Sequence, residues 1–190
     1  MRKTMNRLSS KGVFCLTGFM GCGKSTAGKA LSALTGIKFI DLDEYITEKS
    51  GKRIKDIFQS EGEDKFREYE LEALKGVIES QEKCILALGG GTLMTKECFD
   101  LVRDNSCCIY LKADVKTLSD NLTGNCKGRP MLQTGDQTAA DNDRKNLEMR
   151  IKSLLSARKD VYESAADYTL VTDGLTIDEI AKRLQEIAGW

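Results

Sequence analysis

Short apolar runs alternate with longer stretches of helical spacing along most of the chain. Val13-Phe14-Cys15-Leu16-Thr17 is a compact β-favouring run, and Ser25 to Leu34 then places apolar residues at helical intervals. Ile37 to Asp41 predicts a second strand that ends at acidic residues, followed by helical patterns from Asp43 to about Ser80 with punctuation near Gly51 and Gly62. Cys84 to Leu88 is continuously apolar, as in a parallel strand covered on both faces, and stops at Gly89-Gly90-Gly91. A helix over Thr95–Val102, a buried strand over Cys107–Leu111 and a short helix over Val115–Leu122 follow. The pattern then lapses from Thr123 to Asp143, roughly twenty polar and glycine-containing residues that include the chain's one proline, Pro130; such a length marks a functional lid or a disordered segment. Helical spacing returns over Arg144–Ala165, Tyr168–Val171 reads as a last strand, and Thr176 with Glu179 forms a capping-box signature for a final helix. The alternation predicts a three-layer α/β/α fold around a central five-stranded, mainly parallel sheet, with ligands at the carboxyl ends of its strands.

Composition narrows this picture. A length of 190 residues suits one domain, here 12–190 behind a basic tail at 1–11. With 29 Lys plus Arg against 29 Asp plus Glu, no global field favours nucleic acid or an anionic membrane. The apolar run after the tail is too short for a signal-peptide core or a spanning helix, so an intracellular protein is expected. Seven cysteines without framework spacing read as free thiols of a reducing compartment. The absence of histidine excludes every mechanism that needs an imidazole base or ligand.

Between the first strand and helix lies Gly18-Phe19-Met20-Gly21-Cys22-Gly23-Lys24-Ser25-Thr26, which fits G-x-x-x-x-G-K-[ST]. Glycines let successive backbone N–H groups converge on an anion, Lys24 reaches the β- and γ-phosphates, and the Ser25 hydroxyl ligates Mg²⁺. The helix N-terminus adds partial positive charge. The strand before and the helix after are the context this motif requires, so the loop predicts a nucleoside triphosphate site without naming the acceptor.

Other candidates fall after predicted strands or on neighbouring helices. Extended alternation would send Asp41 and Asp43 to one side, offering one carboxylate to hydrated Mg²⁺ and the other to an acceptor hydroxyl, although Asp43 also suits a helix N-cap. Arg67 and Glu70 are three apart on a helix with Phe66, Ala73 and Val77 on its apolar stripe, and by spacing alone form a solvated ion pair. Gly89-Gly90-Gly91 allows close approach of backbone donors to a ligand, or is a flexible turn. Arg129, in Gly128-Arg129-Pro130, would sit on the long loop, where it could neutralise a transferring phosphoryl group; Arg158, by spacing, is a surface charge on an amphipathic helix. Cys22 is an inert structural cysteine or, beside Lys24 and a helix N-terminus, a redox-sensitive thiol.

Taken together, the pieces resemble the shikimate kinase family, in the nucleoside-monophosphate-kinase-like branch of phosphate-loop proteins. The resemblance rests on GFMGCGKSTAGKAL at Gly18–Leu31, FIDLDEYI at Phe39–Ile46, the run ending in Arg67 and Glu70, LALGGGTL at Leu86–Leu93, GRPML at Gly128–Leu132 and R-x-x-x-Y at Arg158–Tyr162. It implies transfer of the γ-phosphoryl group of ATP to the 3-hydroxyl of shikimate, with Mg²⁺, in aromatic amino-acid synthesis, by a cytoplasmic monomer. It further implies that Gly21, Cys22, Gly23, Lys24, Ser25, Thr26 and Arg129 serve ATP, and that Ser25 and, through water, Asp41 serve the metal. Asp43, Arg67, Gly89, Gly90, Gly91 and Arg158 would bind the acid, with Asp43, Lys24 and Arg129 catalytic. The chain departs from the family pattern at Asp160, where a proline is usual, and at Ser119-Asp120-Asn121-Leu122, which lacks the arginine often found against adenine.

Overall fold

The computed structural model describes residues 12–123 and 140–190, the side chains of 140–143 excepted. The tail at 1–11, most of the Thr123–Asp143 loop and Arg129 within it lie outside the described residues. In chain order the elements are β1 (Val13–Thr17), α1 (Lys24–Thr35), β2 (Lys38–Asp41), α2 (Leu42–Ser50), α3 (Ile54–Ser60), α4 (Gly62–Glu79) and β3 (Cys84–Ala87). A 3₁₀ turn at Thr92–Met94 leads to α5 (Lys96–Asn105), β4 (Ser106–Lys112), α6 (Val115–Leu122), α7 (Ala140–Ala165), β5 (Tyr168–Val171) and α8 (Ile177–Ala188).

The five strands form one parallel sheet in the order β2-β3-β1-β4-β5. The unbroken apolar runs occupy the middle: every residue of β1 and β3 is buried, and β4 is buried except at Lys112. The edge strands carry the exposed positions, Lys38 in β2 and Tyr168, Thr169 and Val171 in β5. Alternate residues of the central strands meet different helical layers. Phe14 packs its ring 4.9 Å from that of Trp190, just beyond α8, whereas Tyr110 lies 5.3 Å from Tyr162 of α7 on the other face. The final helix starts as its sequence predicts: the Glu179 N–H donates to the Thr176 hydroxyl at 3.3 Å and the Thr176 N–H to the Glu179 carboxylate at 2.8 Å.

Chain order reverses at β1, which lies between β3 and β4, so a crevice opens at the carboxyl ends of β1 and β3. The phosphate loop, the Gly89–Gly91 turn and the end of β2 all reach this edge. Between β2 and α2 the structure corrects the extended geometry expected for Asp41-Leu42-Asp43. The helix already begins at Leu42; Asp41 is its N-cap, accepting from the Asp43 N–H at 3.1 Å, so Asp43 sits in the first helical turn.

Candidate active site

A cleft of about 540 Å³ runs along this edge, and its wall includes Gly21, Lys24, Asp43, Arg67, Gly90 and Arg158. In the phosphate half, Gly18 adopts φ 139°, a left-handed backbone that also leaves no room for a side chain: a Cβ there would lie 2.6 Å from the Leu111 carbonyl oxygen. The loop closes through a 3.2 Å bond from the Cys22 N–H to the Phe19 carbonyl, and α1 starts at Lys24 with its first amides aimed at the cleft end. Lys24 is buried and donates its ammonium to the carbonyls of Gly18 at 2.8 Å and Phe19 at 3.0 Å. Cys22 is buried with its Sγ 3.9 Å from Lys24 Nζ. The Ser25 hydroxyl donates to Asp41 Oδ2 at 2.5 Å, joining the loop to the end of β2. Asn121 of α6 also faces the cleft and donates to the Gly21 carbonyl at 2.9 Å, where the departing stretch offers no arginine.

The other half of the cleft, which the resemblance assigns to the acid, is assembled from distant elements. Arg67 and Glu70 make the ion pair their spacing predicts, at 2.6 Å, but Glu70 is only 1% exposed, so the pair belongs to the interior wall rather than to solvent. The second fork nitrogen of Arg67 donates to Glu63 at 2.9 Å. Burial works against the Arg67 charge, and Glu70 and Glu63 outweigh it, holding the guanidinium above its ordinary range. The other Glu70 oxygen accepts from Thr92 in the 3₁₀ turn at 2.5 Å. Spacing alone puts this carboxylate on the surface; its position between Phe66 and Ala73 on the inward stripe is the available signal of its burial. Arg158 is likewise buried, at 7% exposure, which overturns its reading as a surface charge: α7 carries it under the glycine turn, where it donates to the Gly90 carbonyl at 3.2 Å.

Asp43 stands where the halves meet. Asp43 stays exposed to the cleft, but desolvation of its carboxyl by the surrounding walls, reinforced by the charges of Asp41 and Glu70, pushes it up to about 6, against the pull of Lys24 and Arg67. The glycine turn closes over this group. A Cβ on Gly89 would lie 3.2 Å from Asp43 Oδ1, and one on Gly91 would lie 2.9 Å from Arg67 Nη2, so the acid-side side chains fill the space that side chains on the turn would need.

The family model for shikimate kinase matches residues 20–188. The chain belongs to the shikimate kinase family. Among curated relatives, the shikimate kinase of Chlorobium limicola is 38% identical over 173 residues, covering 89% of this chain and 84% of that one. That of Salinibacter ruber is 37% identical over 172 residues, covering 90% and 82%. A solved shikimate kinase from Acinetobacter baumannii in complex with shikimate superposes with a TM-score of 0.83 at 30% identity, over 97% of both chains. One from Bacteroides thetaiotaomicron gives 0.82 at 31% identity, over 94% of this chain and 98% of that one. A gluconokinase from Sinorhizobium meliloti, at 0.58 and 19% identity, shares the fold. Shikimate kinase membership makes the chain a phosphotransferase with a phosphate-loop nucleotide site. Of the residues the sequence singles out for such an enzyme, all but Arg129 lie among the described residues. Gly21, Gly23, Lys24, Ser25, Thr26, Asp41, Asp43, Arg67, the three glycines of the turn and Arg158 line one cleft, while Cys22 lies beneath it.

Proposed function

We propose that this cleft transfers the γ-phosphoryl group of ATP to the 3-hydroxyl of shikimate, with residue roles divided between its two halves. The observation that supports the reading best is the convergence of Lys24, Asp43, Arg67 and Arg158 on one cavity, which pairs a phosphate cradle with a site for an anionic polyol. Lys24 would exchange its loop carbonyls for β- and γ-phosphate oxygens, and the amides of the loop and of the first turn of α1 would hold the rest of the triphosphate. The guanidinium forks of Arg67 and Arg158 suit a carboxylate, and the Gly89–Gly91 backbone supplies N–H donors. Asp43 would then receive the acceptor hydroxyl, orient it toward the γ-phosphorus and take its proton. A carboxyl with an affinity near 6 is ionised at neutral pH yet a better base than an ordinary aspartate.

The donor set at the loop fits Mg²⁺ delivered with the nucleotide. Ser25 and Asp41 present hard oxygens 2.5 Å apart, and among the described residues no cluster of three or more His, Cys, Asp or Glu could build a resident cage. Ser25 would hold the ion directly and Asp41 through water; when bound, Mg²⁺ supplies neutralisation of charge on the β- and γ-oxygens. Transfer would be direct and in line, since the chain has no histidine and the hydroxyl–carboxylate pair of Ser25 and Asp41 in the cleft is given over to the metal. Arg129, carried on a lid at 123–143 of a single domain spanning 12–190, would close over both substrates. Among the described residues no helix is long and apolar enough to cross a membrane, and the balanced charge favours small-molecule partners over nucleic acid. We place the protein in the cytoplasm as a monomer.

A coupled assay of ADP release with Mg-ATP tests the reading. Turnover that depends on shikimate, and not on gluconate or a nucleoside monophosphate, is the expected result. A folded sample without shikimate-dependent turnover would refute it.

A further inference from the structure

The glycine turn is tied to α7 by a side chain that the proposed roles leave out. Tyr162 lies one helical turn beyond Arg158, is fully buried, and donates its hydroxyl to the Gly90 carbonyl at 2.5 Å. Arg158 donates to that same carbonyl at 3.2 Å. Hydroxyl and guanidinium thus converge on one carbonyl at the wall of the cleft. Burial pushes the phenol well above its ordinary range, so it remains a donor at neutral pH.

The consequence runs through the peptide plane. All peptide bonds described are trans, so the Gly90 carbonyl and the Gly91 N–H point in opposite directions, and fixing one fixes the other. Gly91 in turn lies against Arg67, whose guanidinium occupies the place a Cβ would take. Arg158 therefore takes its position from this peptide directly, while Arg67, bonded to Glu70 and Glu63, lies beside the same peptide. Resting on the function proposed above, we infer that Tyr162 is a positioning residue for the acid substrate: its hydroxyl locks the Gly90–Gly91 peptide and the Arg158 fork into the geometry that receives the substrate carboxylate. Its hydroxyl is committed to the Gly90 carbonyl and to no group of the phosphate loop, although Cys22 of that loop is near enough to act on the phenol, so its influence should fall chiefly on the acid substrate.

Tyr162→Phe deletes the hydroxyl and keeps the ring that packs against Tyr110. Calorimetric affinities for shikimate and for Mg-ATP, with steady-state constants, are measured for this variant, for Tyr110→Phe, and for both in an Arg158→Lys background. The expected result for Tyr162→Phe is a shikimate Kd and KM raised by about 5- to 20-fold, the range for losing one buried hydrogen bond, with Mg-ATP affinity within about 2-fold of the parent. Tyr110→Phe should leave both affinities near the parent's. In the Arg158→Lys background the Tyr162→Phe penalty should shrink to about 2-fold or less, because the two groups act as a unit. An unchanged shikimate affinity, equal losses for both substrates, full additivity with Arg158→Lys, or loss of the fold would each overturn the inference. Absence of shikimate turnover in the unmodified protein would instead refute the function on which it rests.

Discussion

The phosphate half of the cleft comes from one unbroken stretch, Gly18 to Thr26, whereas the acid half draws Asp43 from α2, Arg67 and Glu70 from α4, three glycines from the end of β3 and Arg158 from α7. In the first, most of the donors are backbone amides, and local conformation sets them wherever a strand delivers the chain to a helix. In the second, side chains carry the chemistry, and their positions depend on how α4 and α7 pack across the sheet. A phosphate cradle built this way is portable between proteins; an acid site built this way belongs to one packing arrangement. The contrast predicts that lesions will divide by substrate, with Asp43 at the seam.

The sharpest test is therefore Asp43→Asn, expected to lower kcat by about 10²- to 10⁴-fold, the range for removing a general base, while affinities for both substrates change little. The same substitution should stabilise the protein. The Asp43 carboxyl rises from 3.8 to about 6 on folding, so the folded state binds this proton more tightly than the unfolded one. Its stabilising contribution is present below pH 3.8 and is lost as pH rises through about 6; at neutral pH the ionised carboxylate, facing Asp41 and Glu70 in the cleft, lowers stability in a way that Asn avoids. Thermal melts at pH 5 and 7.5 should show Asn gaining more at the higher pH. In the parent, kcat/KM for shikimate should fall below a pH of about 6, and the Asn variant should lack that limb. Equal pH profiles would remove Asp43 from the base role.

Lys24→Met should reduce kcat by roughly 10²- to 10³-fold and weaken Mg-ATP, with shikimate affinity nearly intact. Arg67→Ala should do the converse, raising the shikimate KM by about 10- to 100-fold with little change for ATP. It should also lower stability, because Glu70 is left buried without its cation, a loss of about 3 kcal/mol or more. If Arg67→Ala raised both KM values equally, the division into halves would fail. A smaller effect is expected from Gly91→Ala, whose Cβ must displace the Arg67 guanidinium from 2.9 Å; a shikimate KM raised about 3- to 10-fold, with ATP unaffected, is the outcome to look for.

Legibility in the sequence follows the same division. The strands and the phosphate loop are local patterns, and each appears within a residue or two of where it was predicted; the helix ends are less legible, α5 running three residues past Val102 and α7 starting four before Arg144. The Asp41–Asp43 stretch misleads about conformation because two carboxylates two apart fit both an extended end and a helix opening, and the Asp41 cap decides for the helix. Arg158 and Glu70 defeat spacing arguments for another reason. Helical periodicity shows which residues share a face, but only packing against the glycine turn shows that the face is interior. Family motifs bring them into the site because the family retains the outcome of that packing, and Tyr162 and Thr92, which support it, carry no chemical signature of their own.

Arg67 is never a bare cation. Before any substrate arrives its two fork nitrogens are held by Glu70, almost fully buried, and by Glu63, more than half exposed. On the function proposed above, an incoming carboxylate would enter by ion exchange, displacing the solvent-facing Glu63 and leaving the interior partner in place, whereas an uncharged polyol of the same shape would meet an arginine already satisfied.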